Sequence, residues 1–368
     1  MNVELHDLRA AAPVSSSRLA IADCDLHLGP RSMRDLFPYL SERWRRHIDT
    51  YGMAHRTGYA GGAPAFPKSA PMAARRDAWP PDGSPPGSNL DFTRAQHLDA
   101  FNVELGLINP PVPSQNFMNL DLGNAVCRAM NDWQIEHLVR PEPRLRASIT
   151  VNYEDPPAAA AEIERCAGID GFGHVLVMSR TAEPLGARRY RPIFDAATAA
   201  GIPVAMHAFG FGGHPATGSG WPSFYLEDML AHAQAFQSHL SSMVLEGVFE
   251  RLPRLKFVMI EGGFGWLPAL AWRLDRLWRR MRDETELRQA PSDYIRNQVW
   301  LTTQPMEEPQ QREHLGDLIG WLGWDRLLYA SDYPHWDFDN PDHALPMAVA
   351  ETDRRRFFRE NARAVYGR

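Results

Sequence analysis

The sequence predicts an α/β fold, a TIM (β/α)8 barrel. Short apolar runs rich in strand-forming residues alternate with amphipathic or alanine-rich helical patterns along nearly the whole chain, and there are about eight such pairs. A doubly wound open sheet is the alternative, but no GxGxxG motif opens a helix after a strand. The predicted strands are 20–26, 103–108, 145–151, 172–178, 203–207, 256–261, 299–303 and 327–331.

The domain organisation follows from the same alternation. We expect residues 1–19 to form an N-terminal tail and residues 20–368 to form a single barrel domain. Residues 52–90 are rich in Pro, Gly and Ala and show no period, so they indicate an irregular insertion after the first strand and its helix. Loops that follow barrel strands lie on the C-terminal, catalytic face, which is where we expect this insertion.

The insertion also carries aromatic residues, which favour a packed lid or an oligomer contact over a flexible surface loop. These residues are Tyr51, Tyr59, Phe66 and Trp79.

Composition and charge exclude several classes of protein. The chain has 39 basic and 45 acidic residues and a formal net charge of -6, and it has no basic stretch typical of nucleic-acid binding. No apolar run reaches membrane-spanning length, and the first residues lack the apolar core of a signal peptide. Its cysteines, Cys24, Cys127 and Cys166, are far apart, which favours a reducing cytoplasmic location over a disulfide framework or a zinc finger.

The first predicted strand ends in the string DCDLH, and this end is the strongest functional signal. Side chains alternate along a strand, so Asp23, Asp25 and His27 fall on one side of it. Carboxylates and imidazoles are costly to bury without a partner, and a divalent cation is the usual one. A core histidine hydrogen-bonded to two carboxylates is the alternative interpretation.

Three more predicted strands end in residues of the same chemistry. His207 ends the fifth strand, Glu261 ends the sixth, and Asp332 follows the eighth, with His335 three residues later. A barrel brings the C-terminal ends of its strands together in one ring. We therefore predict a site for one or two divalent ions, with Zn, Mn or Fe favoured by nitrogen and oxygen ligands.

The chain resembles the amidohydrolase superfamily, in the amidohydrolase-related branch that includes aminocarboxymuconate-semialdehyde decarboxylase and the aromatic-acid decarboxylases. The similarity runs from about residue 20 to the end, and it is carried in order by DCDLH, GIPVAMH, LEGVFERLPRLKFVMIEGGFGWLP and LLYASDYPHWD. The resemblance implies a metal-dependent barrel. It places the paired ligands of the first strand on Asp25 and His27, the fifth-strand ligand on His207 and the eighth-strand ligand on Asp332.

One position departs from that family pattern. The decarboxylases of the family usually carry a histidine after the sixth strand, and Glu261 stands there in this chain. A carboxylate can bind or bridge metal ions, so we expect Glu261 in or next to the metal shell, with Asp23, Asp332 and His335 available for a second ion. A carboxylate that caps the following glycine-rich turn is the alternative.

Five further residues are candidates for substrate contact. Phe209, His214 and Trp221 follow the fifth strand, and Gln304 follows the seventh, so all four are expected near the catalytic rim. His174 lies within the fourth strand, where a hydrogen-bonded core residue is an equal alternative to a pocket residue.

Three functions fit these observations. The first is a metal-dependent hydrolase or decarboxylase of a small carboxylate-bearing or aromatic molecule, with Asp332 as general base and Glu261 as a second catalytic group. The second is an oxygen-dependent hydroxylase with two Fe or Mn ions, which the carboxylate-rich ligand set favours. The third is a non-catalytic partner subunit, against which a complete ligand ring argues. We also expect a homodimer, from the resemblance and the aromatic insertion.

Overall fold

Eight parallel strands form a single sheet in which neighbours in space are neighbours in sequence. The computed structural model describes residues 18–52, 73–110, 115, 117–210 and 215–367. The strands are β1 Ile21–Leu26, β2 Val103–Ile108, β3 Leu145–Thr150, β4 Phe172–Met178, β5 Val204–His207, β6 Phe257–Ile260, β7 Val299–Thr302 and β8 Leu327–Leu328. The order confirms the parallel β-α units that the sequence predicts.

The two ends of the sheet meet through the residues that follow β8. Leu26 forms an isolated parallel bridge with Tyr333. The Cys24 amide donates to the Tyr329 carbonyl at 3.0 Å, and the His27 amide donates to the Tyr333 carbonyl at 2.7 Å. The predicted TIM barrel is therefore confirmed, with β1 held directly against the segment that carries Asp332.

Helices lie between the strands on the outside of the barrel. Their ranges are α1 Glu42–Tyr51, α2 Leu90–Thr93, α3 Leu120–Gln134, α4 Pro156–Ala167, α5 Arg191–Ala200, α6 Tyr225–Leu245, α7 Val248–Arg251, α8 Leu267–Arg280, α9 Pro291–Gln298, α10 Arg312–Leu322, α11 Glu351–Arg355 and α12 Asn361–Tyr366. None of the helices in these described ranges is long and apolar enough to cross a membrane.

The helix α8 shows why these segments form where they do. Its buried residues include Leu267, Ala271, Leu274 and Trp278, which recur three or four residues apart and so lie on one face. Arginines occupy much of the opposite face. Burial of each large apolar side chain stabilises the packed helix by roughly 1.5–3 kcal/mol, and this burial fixes the helix against the strands.

The end of α5 sets the position of the strand that carries His207. Gly201 follows the helix with φ of 69°, in the left-handed region that favours glycine. Its amide donates back to the Ala197 carbonyl, and this bond closes the helix. The chain then turns directly into β5, whose four residues are all buried.

The described end of the 52–90 insertion packs beside the segment that follows β8. The Arg75 amide donates to the Pro334 carbonyl at 2.9 Å, and the Trp336 amide donates to the Ala73 carbonyl at 2.8 Å. Tyr51 is 74% exposed and Trp79 is 37% exposed, while Tyr59 and Phe66 lie outside the described residues. The lid or oligomer-contact role of the insertion therefore stays a prediction.

Candidate metal centre

Side chains from three strand ends converge at the C-terminal mouth of the barrel. One ligand atom from each of Asp25, His27, His207 and Glu261 lies within 4.8 Å of all the others, and all four residues are buried. Strand β1 contributes Asp25, and His27 follows its end on the same side because alternate residues share a side. This set of two carboxylates and two imidazoles matches the ligands that bind Zn, Mn or Fe.

The protonation of His207 provides a test of whether a cation fits this group. Its Nδ1 lies 2.8 Å from the Ala208 carbonyl, which can only accept, so Nδ1 carries the hydrogen. In the neutral ring, Nε2 then holds a lone pair, yet it lies 3.2 Å from both Asp25 Oδ2 and Glu261 Oε2. A positive charge between these three groups is therefore favourable, and either a proton on Nε2 or a divalent cation supplies it.

Two further groups of possible ligands share residues with the first. His27, Asp332 and His335 form one, and Glu261, Asp332 and Asp337 form the other. Asp332 Oδ1 lies 2.9 Å from His27 Nε2 and 2.6 Å from His335 Nδ1. The rings of His27 and His335 stack with their centres 4.2 Å apart. Asp332 therefore links the first group to both of the others.

The pKa values of these carboxyl groups are displaced in opposite directions. Burial acts to raise the pKa of Asp25, but the His27 and His207 rings hold it well below its ordinary value. The pKa of Asp332 is likewise about 2, because the His335 and His27 rings outweigh its burial. Burial and the Asp332 charge raise the pKa of Glu261 well above its ordinary value.

Asp337 behaves like Glu261. Burial and the neighbouring Asp332 carboxylate raise its pKa from 3.8 to about 8. Four carboxyl groups thus lie close together, and burial beside the Asp332 charge favours the neutral form of Glu261 and Asp337 in the absence of a cation.

Glu261 and Asp332 both adopt the left-handed backbone conformation, with φ of 64° and 60°. Such a conformation costs about 1–3 kcal/mol for a residue with a side chain, and it persists where surrounding contacts hold it. The Glu261 amide donates to Thr302 Oγ1 at 3.1 Å on the neighbouring strand. The sequence predicted a strand that runs to Glu261, whereas β6 ends at Ile260 and the chain turns at the glutamate.

Asn109, directly after β2, supports the candidate ligand Asp25. Its Nδ2 donates to Asp25 Oδ1 at 2.9 Å, and its Oδ1 lies 2.8 Å from His174 Nε2 and 3.1 Å from Ser148 Oγ. Burial lowers the pKa of His174 to about 3, so the ring is neutral and donates this hydrogen bond. The structure thus places His174 behind Asn109, and His174 is not among the residues that line the cavity.

Asp23 also lies outside the three ligand groups. Its Oδ1 accepts from the Ser331 amide at 2.9 Å, and its Oδ2 lies 2.7 Å from His97 Nε2. The His97 ring stacks on Tyr333 with centres 4.7 Å apart. Both carboxylate oxygens are therefore occupied by groups that join β1 to the segment before Asp332, and Asp23 holds that segment in place.

The first ligand group opens into a cavity of about 460 Å³. Its polar lining includes His27, His207, Glu261, His335 and Asp337. Its apolar and aromatic lining includes Leu176, Met178, Phe209, Tyr225, Met229 and Trp336. A cavity of this size, apolar with a few convergent polar groups, is typical of a small-molecule site.

The remaining predicted contact residues take different positions. Phe209 lines the cavity, and its contact with a substrate stays a prediction. Gln304 is buried and donates through Nε2 to Asp332 Oδ2 at 3.3 Å and to the Asp337 carbonyl at 3.2 Å, so it supports a ligand. The centre of the Trp221 ring lies 5.8 Å from Arg180 Cζ. His214 lies outside the described residues.

Sequence reasoning missed three residues of this site, namely Asn109, Arg180 and Asp337. Asn109 stands directly after a strand, so the same inspection of strand ends would have identified it. Asp337 lies within the SDYPHWD string, but five residues beyond Asp332, where strand periodicity no longer applies. Arg180 lies two residues beyond β4 and gave no signal in the sequence.

Comparison with known proteins identifies the family. The model of the Amidohydro_2 family, described as amidohydrolase, matches residues 22–368. The gamma-resorcylate decarboxylase of Rhizobium radiobacter is 27% identical over 300 residues, which cover 76% of this chain and 87% of that protein.

Solved structures share the fold at lower identity. An amidohydrolase from Mycobacterium avium subsp. paratuberculosis K-10 is 22% identical, with a TM-score of 0.73, and the match covers 96% of this chain and 100% of that one. A dihydroxybenzoic acid decarboxylase from Polaromonas sp. JS666, solved with manganese and the inhibitor 2-nitroresorcinol, is 21% identical, with a TM-score of 0.63. That match covers 95% of this chain and 97% of the other.

Proposed function

The chain belongs to the amidohydrolase family, and we propose that it is a metal-dependent decarboxylase of a small aromatic carboxylate. The observation that carries this proposal is the convergence of Asp25, His27, His207 and Glu261 at one side of a largely apolar cavity. The decarboxylase activity of the relatives supports cleavage of a carbon–carbon bond over the hydrolysis that the sequence left open.

The residues that would hold the metal are Asp25, His27, His207 and Asp332. Their donor atoms fit a cation, because His207 Nε2 lies 3.2 Å from Asp25 Oδ2 and His27 Nε2 lies 2.9 Å from Asp332 Oδ1. A bound divalent cation, with Mn, Zn or Fe as candidates, supplies a Lewis acid that holds the substrate carboxylate and stabilises developing negative charge. Asn109 keeps Asp25 oriented through its hydrogen bond to Oδ1.

Decarboxylation replaces the substrate carboxylate with hydrogen. The bond between ring and carboxylate breaks, its electron pair takes a proton at the ring carbon, and carbon dioxide leaves. Glu261 lines the cavity and lies in one group with Asp25, His27 and His207, so its carboxyl group is positioned to deliver that proton beside the metal. Asp332 is fully buried between His27 and His335, and its carboxylate orients both rings.

The test combines metal content with release of carbon dioxide from a panel of hydroxybenzoates. We expect about one divalent ion per chain and turnover of at least one compound. Glu261→Gln should keep the metal and lose turnover by about 100-fold or more, because the amide cannot deliver a proton. The exposed Glu246→Gln is the matched control and should leave both unchanged. A fully metallated wild-type protein that decarboxylates no aromatic acid would refute the proposal.

A second candidate is an oxygen-dependent hydroxylase with two metal ions. The observation that favours it is the group formed by Glu261, Asp332 and Asp337, which offers oxygen ligands for a second ion beside the first. Two iron ions per chain, together with oxygen uptake that depends on an added aromatic compound, would support this function. One ion per chain and no oxygen uptake would exclude it.

A further inference from the structure

Arg180 is a permanently charged group in the wall of the same cavity. It lies beyond the end of β4, where its amide donates to the Phe209 carbonyl at 3.2 Å. The preceding amide, that of Ser179, donates to the His207 carbonyl at 2.9 Å. The backbone of Arg180 is therefore fixed beside the strand that carries a metal ligand, and its side chain is only 12% exposed.

One arm of the guanidinium is already held. Nη2 donates to Asp228 Oδ1 of α6 at 2.7 Å, and the Trp221 ring lies 5.8 Å from Cζ. Asp228 is itself 10% exposed, so the pair is largely shielded from water. These contacts restrict Arg180 to one orientation, and a preorganised guanidinium loses little entropy when it binds a further acceptor.

Part of the donor capacity of Arg180 remains unused. Nε is buried and has no hydrogen-bond partner among the residues that the structure describes. A buried donor without an acceptor costs free energy. The Asp228 contact alone is enough to join β4 to α6, so the unpaired Nε indicates a role for Arg180 beyond that ion pair. No other arginine and no lysine line the cavity in the described parts of the chain.

We infer that Arg180 recognises a second oxygen-bearing substituent of the substrate, apart from the carboxylate that is lost. This inference rests on the proposed function for the kind of reaction, and it adds a specificity-determining residue to it. The Asp228 partner neutralises much of the charge, so the acceptor is either a ring hydroxyl or a second carboxylate. The neighbouring Phe209 and Met178 provide the apolar walls for the ring.

The test measures binding of simple aromatic acids to the manganese-loaded protein by calorimetry. The probes are benzoate, the three monohydroxybenzoates, phthalate, isophthalate and terephthalate. We expect at least one substituted probe to bind the wild-type protein more tightly than benzoate does. Arg180→Met should weaken the binding of that probe by about 10-fold to 100-fold and change the binding of benzoate by less than about 3-fold. If a monohydroxybenzoate gives this result, the acceptor is a ring hydroxyl. If a dicarboxylate gives it, the acceptor is a second carboxylate.

Two controls separate recognition from structure. Arg180→Lys keeps the charge but loses the planar fork, so it should recover only part of the preference. Arg165→Met removes an arginine that is ion-paired to Glu162 at 2.6 Å outside this cavity, and it should leave the preference intact. Equal weakening of all probes by Arg180→Met, or no preference in the wild-type protein, would overturn the inference. Binding without carbon dioxide release would refute the proposed function, but the effect of Arg180→Met on binding would still decide whether Arg180 recognises the substituent.

Discussion

Gly262, which follows Glu261, gives the sharpest stability prediction. A Cβ atom at this position would lie 2.2 Å from Cδ1 and 2.4 Å from Cε1 of Phe236, a fully buried ring on α6. The φ of Gly262 is not positive, so the cost of Gly262→Ala comes from the overlap alone. Because these distances are too short for carbon atoms, either the buried ring or the backbone beside Glu261 must shift.

The size of the effect follows from this overlap. Overpacking of a buried site costs about 1–3 kcal/mol. For a chain of this length that free energy lowers Tm by roughly 1–4 °C. Gly320 is the matched control, because a Cβ there meets nothing within 4 Å and the residue lies inside α10. Gly320→Ala should therefore raise Tm slightly, since alanine favours the helix by about 1 kcal/mol.

The assay is thermal unfolding of the metal-loaded protein, combined with kcat. Gly262→Ala should lower both Tm and kcat, because the displaced backbone carries Glu261. A smaller side chain in Phe236→Leu makes room for the new methyl group, so the double variant should lose less stability than the sum of the two single variants. Strict additivity, or a Gly262→Ala variant as stable as Gly320→Ala, would refute the argument.

The remaining predictions concern the metal site, its support and its pH dependence. His207→Ala should abolish metal retention and turnover together, as measured by elemental analysis, whereas His239→Ala, outside the ligand groups, should retain the metal. Asn109→Ala removes the donor to Asp25 Oδ1 and should weaken metal binding by about 10-fold to 100-fold in a chelator competition. Burial, with the Arg180 and His207 charges, lowers the pKa of His232 from 6.5 to about 3, so the unfolded chain takes up this proton first as the pH falls. Stability should therefore fall by about 2 kcal/mol between pH 6.5 and pH 5 in denaturant unfolding, and His232→Gln should lose this part of the dependence. The predicted homodimer requires light scattering to give twice the chain mass at micromolar concentration.

The sequence allowed the barrel, and the convergence of most candidate ligands at one end of it, to be predicted for one physical reason. Parallel strands in a barrel end in the same ring, so a residue at a strand end is located once the strand is recognised. Asp25, His27, His207 and Glu261 all satisfy this condition, and the structure brings them within 4.8 Å of one another. Alternation along a strand placed Asp23 on the same side. It does not reveal that the Asp23 carboxylate is hydrogen-bonded to His97.

The parts that could not be predicted depend on turns and helices after the strands. Asp337 reaches Asp332 only because the chain doubles back, with the Asp339 amide donating to the Ser331 carbonyl at 2.9 Å. Arg180 is oriented by Asp228, which lies 48 residues away on α6. Neither contact has a periodic signature, since each is set by tertiary packing between distant segments.

This division has a consequence for how the site can change. The ligand candidates lie at the ends of strands whose positions the barrel fixes, whereas Phe209, Tyr225 and Met229 lie on the loop and helix that follow β5. Substitutions in this second set reshape the cavity without moving the ligand atoms, because no strand hydrogen bond depends on them. Substrate preference and metal binding are therefore separable in this fold, and Arg180, which follows β4 but is oriented by Asp228 on α6, belongs with the residues that set the preference.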